Sequence, residues 1–179
     1  MVKMEKQLIL PENVTVEIDN KTVKVTGPKG TLQKQFKYFH DIAITKKENK
    51  IFVTSKSDKK KVRAMIGTII AHVKNMVKGV AEGYTYKMKI VYSHFPVTIK
   101  IEGDKFLINN FLGEKMPRIA KILGDTKIEV KGQDVILTGP DVEDVGQTCA
   151  NIEQACRITK YDRRVFMDGI YIVEKGKGR

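Results

Sequence analysis

The chain is written twice, and that constrains its fold more than any other feature. The segment VTIKIEGDKFLINNFLGE from Val97 lies over VTVEIDNKTVKVTGPKGT from Val14, an offset of 97 − 14 = 83. Both run strand, polar turn, strand, turn, with Gly30 opposite Gly113. Further on, VILTGPD from Val135 lies over IFVTSKSD from Ile51, with Thr138 over Thr54 at 138 − 54 = 84. Order and spacing repeat together, so duplication of one folding unit is the economical explanation. A length of 179 residues accommodates two such units, each small but able to hold its own core.

In the first copy the clearest element is Lys59 to Gly79, KKKVRAMIGTIIAHVKNMVKG. Val62, Met65, Ile66, Ile69, Ile70, Val73 and Val77 fall at helical spacing and make one apolar stripe. Ser57 or Asp58 offers the capping oxygen and Gly79 the stop. Upstream, Val14, Val16 and Ile18 alternate with polar residues, Asp19-Asn20 turns, and Val23 and Val25 resume, which predicts a hairpin. Gly27-Pro28-Lys29-Gly30 turns again, Leu32 to Phe39 and Ile42 to Ile44 continue as strands, and Glu48-Asn49-Lys50 leads into Ile51-Phe52-Val53. After a junction at Gly79 to Gly83, YTYKMKIVYS alternates, with Tyr84, Tyr86, Met88, Ile90 and Tyr92 on one side.

The second copy has its own helix from Val142 to Ile158, striped by Val145, Cys149, Ile152 and Cys156. Asp141 is its expected cap, with Asp144 three residues on. MPRIAKI could open a helix at Pro117, but the repeat maps it onto the strand from Leu32, so Pro117 belongs at a strand start or on an edge. The expected fold is α+β: two tandem duplicated domains, 1–82 and 83–159, each a small antiparallel sheet against one main helix. A basic extension, 160–179, has no counterpart in the first half. Its end, Lys175 to Arg179, holds only Lys, Arg and Gly and is expected to be mobile. Val165, Phe166, Ile170, Tyr171 and Ile172 can tether its middle.

Charge narrows the partner. There are 33 Lys+Arg against 21 Asp+Glu, a formal net charge of +12, which attracts polyanions. No run approaches the ~20 apolar residues of a membrane-spanning helix, no secretory signal opens the chain, and tryptophan is absent. Nucleic acid is therefore favoured over a membrane. Cys149 and Cys156, on one helix face but about 10 Å apart, are too distant to bridge and read as core thiols of a reducing compartment.

Motifs of catalysis, metal binding and phosphate-loop cofactor binding are absent, so no catalytic residue, metal or cofactor is expected. His40, His72 and His94 are isolated; His72, on the margin of its helix, reads as solvated, and His94 as a turn stabiliser or an RNA contact. Basic residues cluster at Lys59, Lys60, Lys61 and Arg63, which are either a solvated face or a phosphate site. A second cluster is Lys115, Arg118 and Lys121 near Asn109 and Asn110. The third is the tail, with Lys160, Arg163, Arg164, Lys175, Lys177 and Arg179. Flexible basic segments enter RNA grooves, and each neutralised phosphate releases counterions.

RAMIGTIIAHVKNMVKGVAEGY, KIVYSHFPV, NFLGEK, VGQTCANIEQACRI and DRRVFMDGIYIVEK stand in this order. With them the chain, from about Gln7 on, resembles the family of the sixth protein of the large ribosomal subunit, in its archaeal and eukaryotic form. The resemblance implies two similar domains on large-subunit rRNA, near the factor-binding centre and the sarcin–ricin loop. It implies a cytoplasmic protein with ribosomal-protein neighbours and translation factors nearby, and no membrane. It assigns RNA contacts to Tyr92, Ser93 and His94, to Gly146 and Gln147, and to the basic tail. DRRVFMDG stands where the bacterial branch carries a different tail, so contacts of that branch are not transferred. Two alternatives stay open: a free regulatory RNA-binding protein, and an RNA-processing enzyme using acids such as Asp162 and Asp168.

Overall fold

A computed structural model of the chain describes residues 4–19, 22–36, 42–47, 49–57, 59–159, 161–162 and 164–177. Two compact units emerge, Met1–Gly83 and Tyr84–Arg179. In the first, strands β1 (Met4–Ile9), β6 (Lys50–Ser55) and β5 (Ile42–Lys47) form one antiparallel sheet in the order β1-β6-β5. Strands β2 (Thr15–Asp19), β3 (Thr22–Gly27) and β4 (Gly30–Gln35) form another, with helix α1 (Lys60–Ala81) packed against strands of both. The expected single sheet is thus divided in two. Val23, Val25, Ile51 and Val53 meet Ile66, Ile69, Val73 and Val80 of the helix in one core. Each such side chain contributes about 1.5–3 kcal/mol relative to its exposed state.

The ends of α1 differ from expectation. Lys59 occupies the N-cap and makes no side-chain cap bond. Ser57 stands two residues too early for its hydroxyl to reach the first turn; its own N–H donates to Ser55 Oγ at 3.1 Å. Asp58 lies outside the described residues. Gly79 is buried inside the helix rather than ending it. The stop is Gly83, in the left-handed region at φ 83°, whose N–H reaches the Gly79 carbonyl at 2.9 Å. The last turn also closes on the β3–β4 hairpin, where Lys29 N–H donates to the Val80 carbonyl at 2.9 Å. His72 is half-buried, not solvated, its Nδ1 accepting from Lys34 Nζ at 3.2 Å with Phe36 alongside. The end of the expected strand from Leu32, Lys37 to Phe39, and His40 lie outside the described residues.

The second unit repeats the plan. Strands β8 (Thr98–Glu102), β9 (Lys105–Asn109) and β10 (Arg118–Lys121) make a sheet ordered β10-β9-β8. Pro117 directly precedes the edge strand β10, where no ladder N–H is needed. Strands β11 (Lys127–Lys131), β12 (Asp134–Gly139), β7 (Tyr84–Val91) and β13 (Gly169–Lys177) make a sheet ordered β11-β12-β7-β13. Helix α2 (Val142–Ala155) ends earlier than the expected Ile158, with Cys156 at its C-cap. Its cap is Asp141, whose Oδ1 accepts from Glu143 N–H at 2.8 Å. Met88, Ile90, Leu137, Val145, Cys149, Ile152 and Ile170 share the core.

Strand β13 has no counterpart among the described residues of the first unit. It lies beside β7 at the edge that β1 leaves without a further strand in the first sheet. The expected tethering by Ile170 and Ile172 takes the form of a strand, and Lys175 to Lys177 of the expected mobile end pair along β7 as part of it, while Gly178 and Arg179 lie outside the described residues. Tyr92 likewise leaves the buried row, lying past the end of β7 and exposed.

Candidate nucleic-acid interface

One end of the second unit is built from three loops. The turn after β7 carries Tyr92, Ser93 and His94. Ser93 N–H donates to Asp168 Oδ1 at 3.0 Å, and the His94 ring lies 5.3 Å from that of Phe166. Phe166 in turn stands 4.8 Å from Tyr161. Asp162 folds the 161–166 segment: its carboxylate accepts from Arg164 N–H at 2.9 Å, and its carbonyl from Phe166 N–H at 2.9 Å. The Arg164 backbone N–H, and then its guanidinium, hold the Asp162 carboxyl below the usual range. His94 thus packs its ring against Phe166 while the residue as a whole stays exposed.

The third loop joins β9 to β10. Asn110, Leu112 and Gly113 all take left-handed φ, at 58°, 53° and 75°. For Leu112 this costs on the order of 1–3 kcal/mol, and the buried Phe111 beside it anchors the loop. Asn110 Nδ2 donates to the Pro96 carbonyl at 3.1 Å. A Cβ at Gly113 would stand only 3.3 Å from the Phe95 ring, so glycine lets the two loops close on each other. Around them Tyr92, Phe95, Tyr161 and Met167 are exposed, as are Lys115 and Arg164. Aromatic faces among cations suit unstacked bases and phosphates together.

Arg118, predicted in the same cluster, turns inward. Its guanidinium grips Glu114 with two bonds at 2.7 and 2.8 Å and donates to the carbonyls of Ala155 and Arg157, both at 3.0 Å. It also lies 4.5 Å over the Phe111 ring. Glu114 keeps it charged even beyond its ordinary range. The result is a clamp on the C-terminus of α2, whose last carbonyls have no helical partner of their own.

A second group sits toward the other end of α2. Gln147 Nε2 donates to Asn151 Oδ1 at 3.0 Å, and Asn151 Nδ2 to the Lys121 carbonyl at 3.0 Å. Gly146 faces the Tyr86 ring, 3.9 Å from where a Cβ would be. Tyr86 is opposite Lys175 in the β7–β13 ladder, and the Lys175 ammonium acts on the Cys149 thiol. The helix start itself, with Asp141, Glu143 and Asp144, is acidic, so an anion does not sit on the helix N-terminus here. Lys177 pairs with Tyr84 in the ladder, and Lys160, Arg163 and Arg179 lie outside the described residues.

Burial pushes Cys149 up to about 11 and Cys156 up to about 12, so both thiols are protonated and unreactive near neutral pH. Among the described residues no His, Cys, Asp and Glu cluster has metal-binding geometry, and no helix is long and apolar enough to cross a membrane. Sequence reasoning missed the exposed aromatics Phe95 and Tyr161, which alternation does not mark. It also missed the pairing of β13, although Ile170 and Ile172 alternate in the sequence.

The family model for ribosomal protein L6 matches this chain twice, over residues 10–83 and 95–169. The chain is 51% identical to the large ribosomal subunit protein uL6 of Aeropyrum pernix, covering 97% of this chain and 96% of that protein. To the uL6 protein of Staphylothermus marinus it is 49% identical, covering 99% of each. To that of Methanosarcina mazei it is 47% identical, covering 98% and 99%. These relatives are ribosomal proteins and not enzymes, and Asp162 and Asp168 are here occupied in holding turns. Two matched copies, each an antiparallel α+β unit, and near-complete alignment to its relatives place the chain in the ribosomal protein L6 family.

Proposed function

We propose that the chain is a structural constituent of the large ribosomal subunit that holds large-subunit rRNA near the factor-binding centre, beside the sarcin–ricin loop. Its neighbours are other ribosomal proteins, with translation factors close by, in the cytoplasm. The observation that carries this reading is the convergence of three loops, presenting Tyr92, His94, Phe95, Lys115 and Arg164 on one end of the second unit. The Gly146, Gln147 and Lys175 group lies toward the opposite end of α2. Gly146 stands about 14 Å along the helix axis from Ala155 at its end, so the two groups can engage separate phosphates of one folded RNA. Shape and phosphate contact, rather than base sequence, set most of the specificity.

Deleting residues 160–179 is a poor test, because it removes β13 and the buried Ile170 along with the charges. Substitution of exposed cations is cleaner. The chain is titrated with a transcript of the rRNA region around the sarcin–ricin loop at several salt concentrations. Lys115→Gln and Arg164→Gln together are expected to reduce the slope of log K against log salt by roughly 0.7–0.9 for each phosphate no longer neutralised. A parent chain with no affinity even in dilute buffer, and missing from purified large subunits, overturns the proposal.

A further inference from the structure

The edge strand β13 breaks its own alternation. Ile170 pairs with Ile90 and Ile172 with Met88, so both point to the helix side of the sheet. Between Ile172 and Glu174 the register shifts, and Val173 is the extra, exposed residue of a β-bulge. Beyond it Glu174 pairs with Lys87, and their side chains form a 2.7 Å ion pair on the outer face. Lys175 pairs with Tyr86, whose ring packs on the core. In an unbroken strand the period of two would put Lys175 outside with Tyr171, and Glu174 inside beside Tyr86. The bulge exchanges them.

Three further observations fit a built corner. The Lys175 ammonium acts on the Cys149 thiol, one turn along α2 from Gly146. Gly176 keeps the strand tight to β7 just past the bulge, since a Cβ there would be 2.7 Å from the Thr85 carbonyl oxygen. The first unit offers an internal comparison. There Gly67 of α1 faces the Lys6 ammonium of β1, 3.9 Å from a built Cβ, as Gly146 of α2 faces Tyr86 of β7 at 3.9 Å. Where the first copy sets a lysine beside its helix glycine directly from β1, the second has a tyrosine there and receives its lysine from the added strand.

We propose that the bulge at Val173 is a positioning device, which turns Lys175 onto the helix side beside Gly146 and Gln147 so that the three form one corner gripping an RNA backbone phosphate. The glycine leaves room for the sugar–phosphate chain, Gln147 offers a neutral donor, and Lys175 supplies the charge. This rests on the rRNA-binding reading above and adds that the face of the lysine, not the charge of the tail, decides affinity.

The test exchanges Glu174 and Lys175, as Glu174→Lys with Lys175→Glu, which keeps composition and net charge while reversing the faces. A second exchange, Glu129→Lys with Lys131→Glu, also keeps composition and net charge but moves no charge across the sheet, because these two exposed residues share one face of β11. Both are titrated with the rRNA transcript named above, and their melts are compared with the parent's. The first exchange is expected to lower affinity at least tenfold and to remove roughly 0.7–0.9 from the salt slope; the second binds like the parent. Lys175→Arg is expected to keep the affinity that Lys175→Gln loses. If the parent binds and the Glu174/Lys175 exchange binds within twofold of it, with an unshifted melt, the corner is refuted while rRNA binding stands. Equal losses from both exchanges also refute it. A parent that does not bind fails the underlying reading instead.

Discussion

Replacing Arg118 with Met separates a structural clamp from an RNA contact. Methionine keeps an unbranched apolar stem over Phe111 and removes every charged donor. Two bonds from the guanidinium to the Ala155 and Arg157 carbonyls disappear, each worth about 1 kcal/mol. The half-exposed pair with Glu114 adds at most about 1 kcal/mol, and the cation over the Phe111 ring about 0.5. The sum is about 3 kcal/mol. For a unit the size of Tyr84–Arg179, each kcal/mol moves the midpoint by about 4–8 °C, so its melt should fall by roughly 12–24 °C. Tyrosine fluorescence is the assay. Five of the six tyrosines lie in this unit, Tyr84, Tyr86, Tyr92, Tyr161 and Tyr171, and there is no tryptophan to mask them. A melt shifted by less than about 2 °C, with a salt slope for RNA reduced by about 0.7–0.9, would show that Arg118 serves the RNA instead.

Ile69→Asp places a carboxylate at a position 1% exposed, against the valines of the first core, and is expected to cost more than about 4 kcal/mol, enough to unfold that unit. Loss of the cooperative transition of the first unit by calorimetry checks it; an unchanged melt would mean that α1 packs by another face. The cysteines give a pH dependence. Their folded pKa values, about 11 and about 12, stand above the unfolded thiol's, so their contribution is fully present below about pH 9 and is lost as pH rises through the folded values. Between these limits each thiol costs up to about 1.4 kcal/mol per pH unit. The parent should therefore lose stability more steeply from pH 9 to 11 than Cys149→Ala with Cys156→Ala, and parallel curves would refute the assignment.

Much of the fold was legible because burial imposes a period. The stripe from Ile66 to Val77 and the alternation through Val23 and Val25 can satisfy water exclusion in only one way each, and the repeat at 83 to 84 fixed which strands correspond. Pro117 illustrates the gain: read locally it opens a helix, read by the repeat it precedes strand β10, and the strand is what forms. The helix ends were less legible. Gly79 and Gly83 are both plausible stops, and only the close approach of the last turn to the β3–β4 hairpin carries the helix past the first of them. Strand β1, MEKQLI, has no clean alternation and so gave no signal.

The candidate site divides in the same way. Basic character, the aromatic turn at Tyr92 and the stretch around Gly146 follow from residue types, which the chain carries wherever it folds. Tertiary structure decided which of these groups face outward. It turned Arg118 onto the end of α2, brought Phe95 against Gly113 and His94 against Phe166, and made a strand of a tail whose composition suggested a loose end. The physical reason is that periodicity reports only whether a side chain faces its own core. Which partner an exposed group finds depends on a loop or strand far away in the chain, and one extra residue at Val173 is enough to reverse which face a charge occupies.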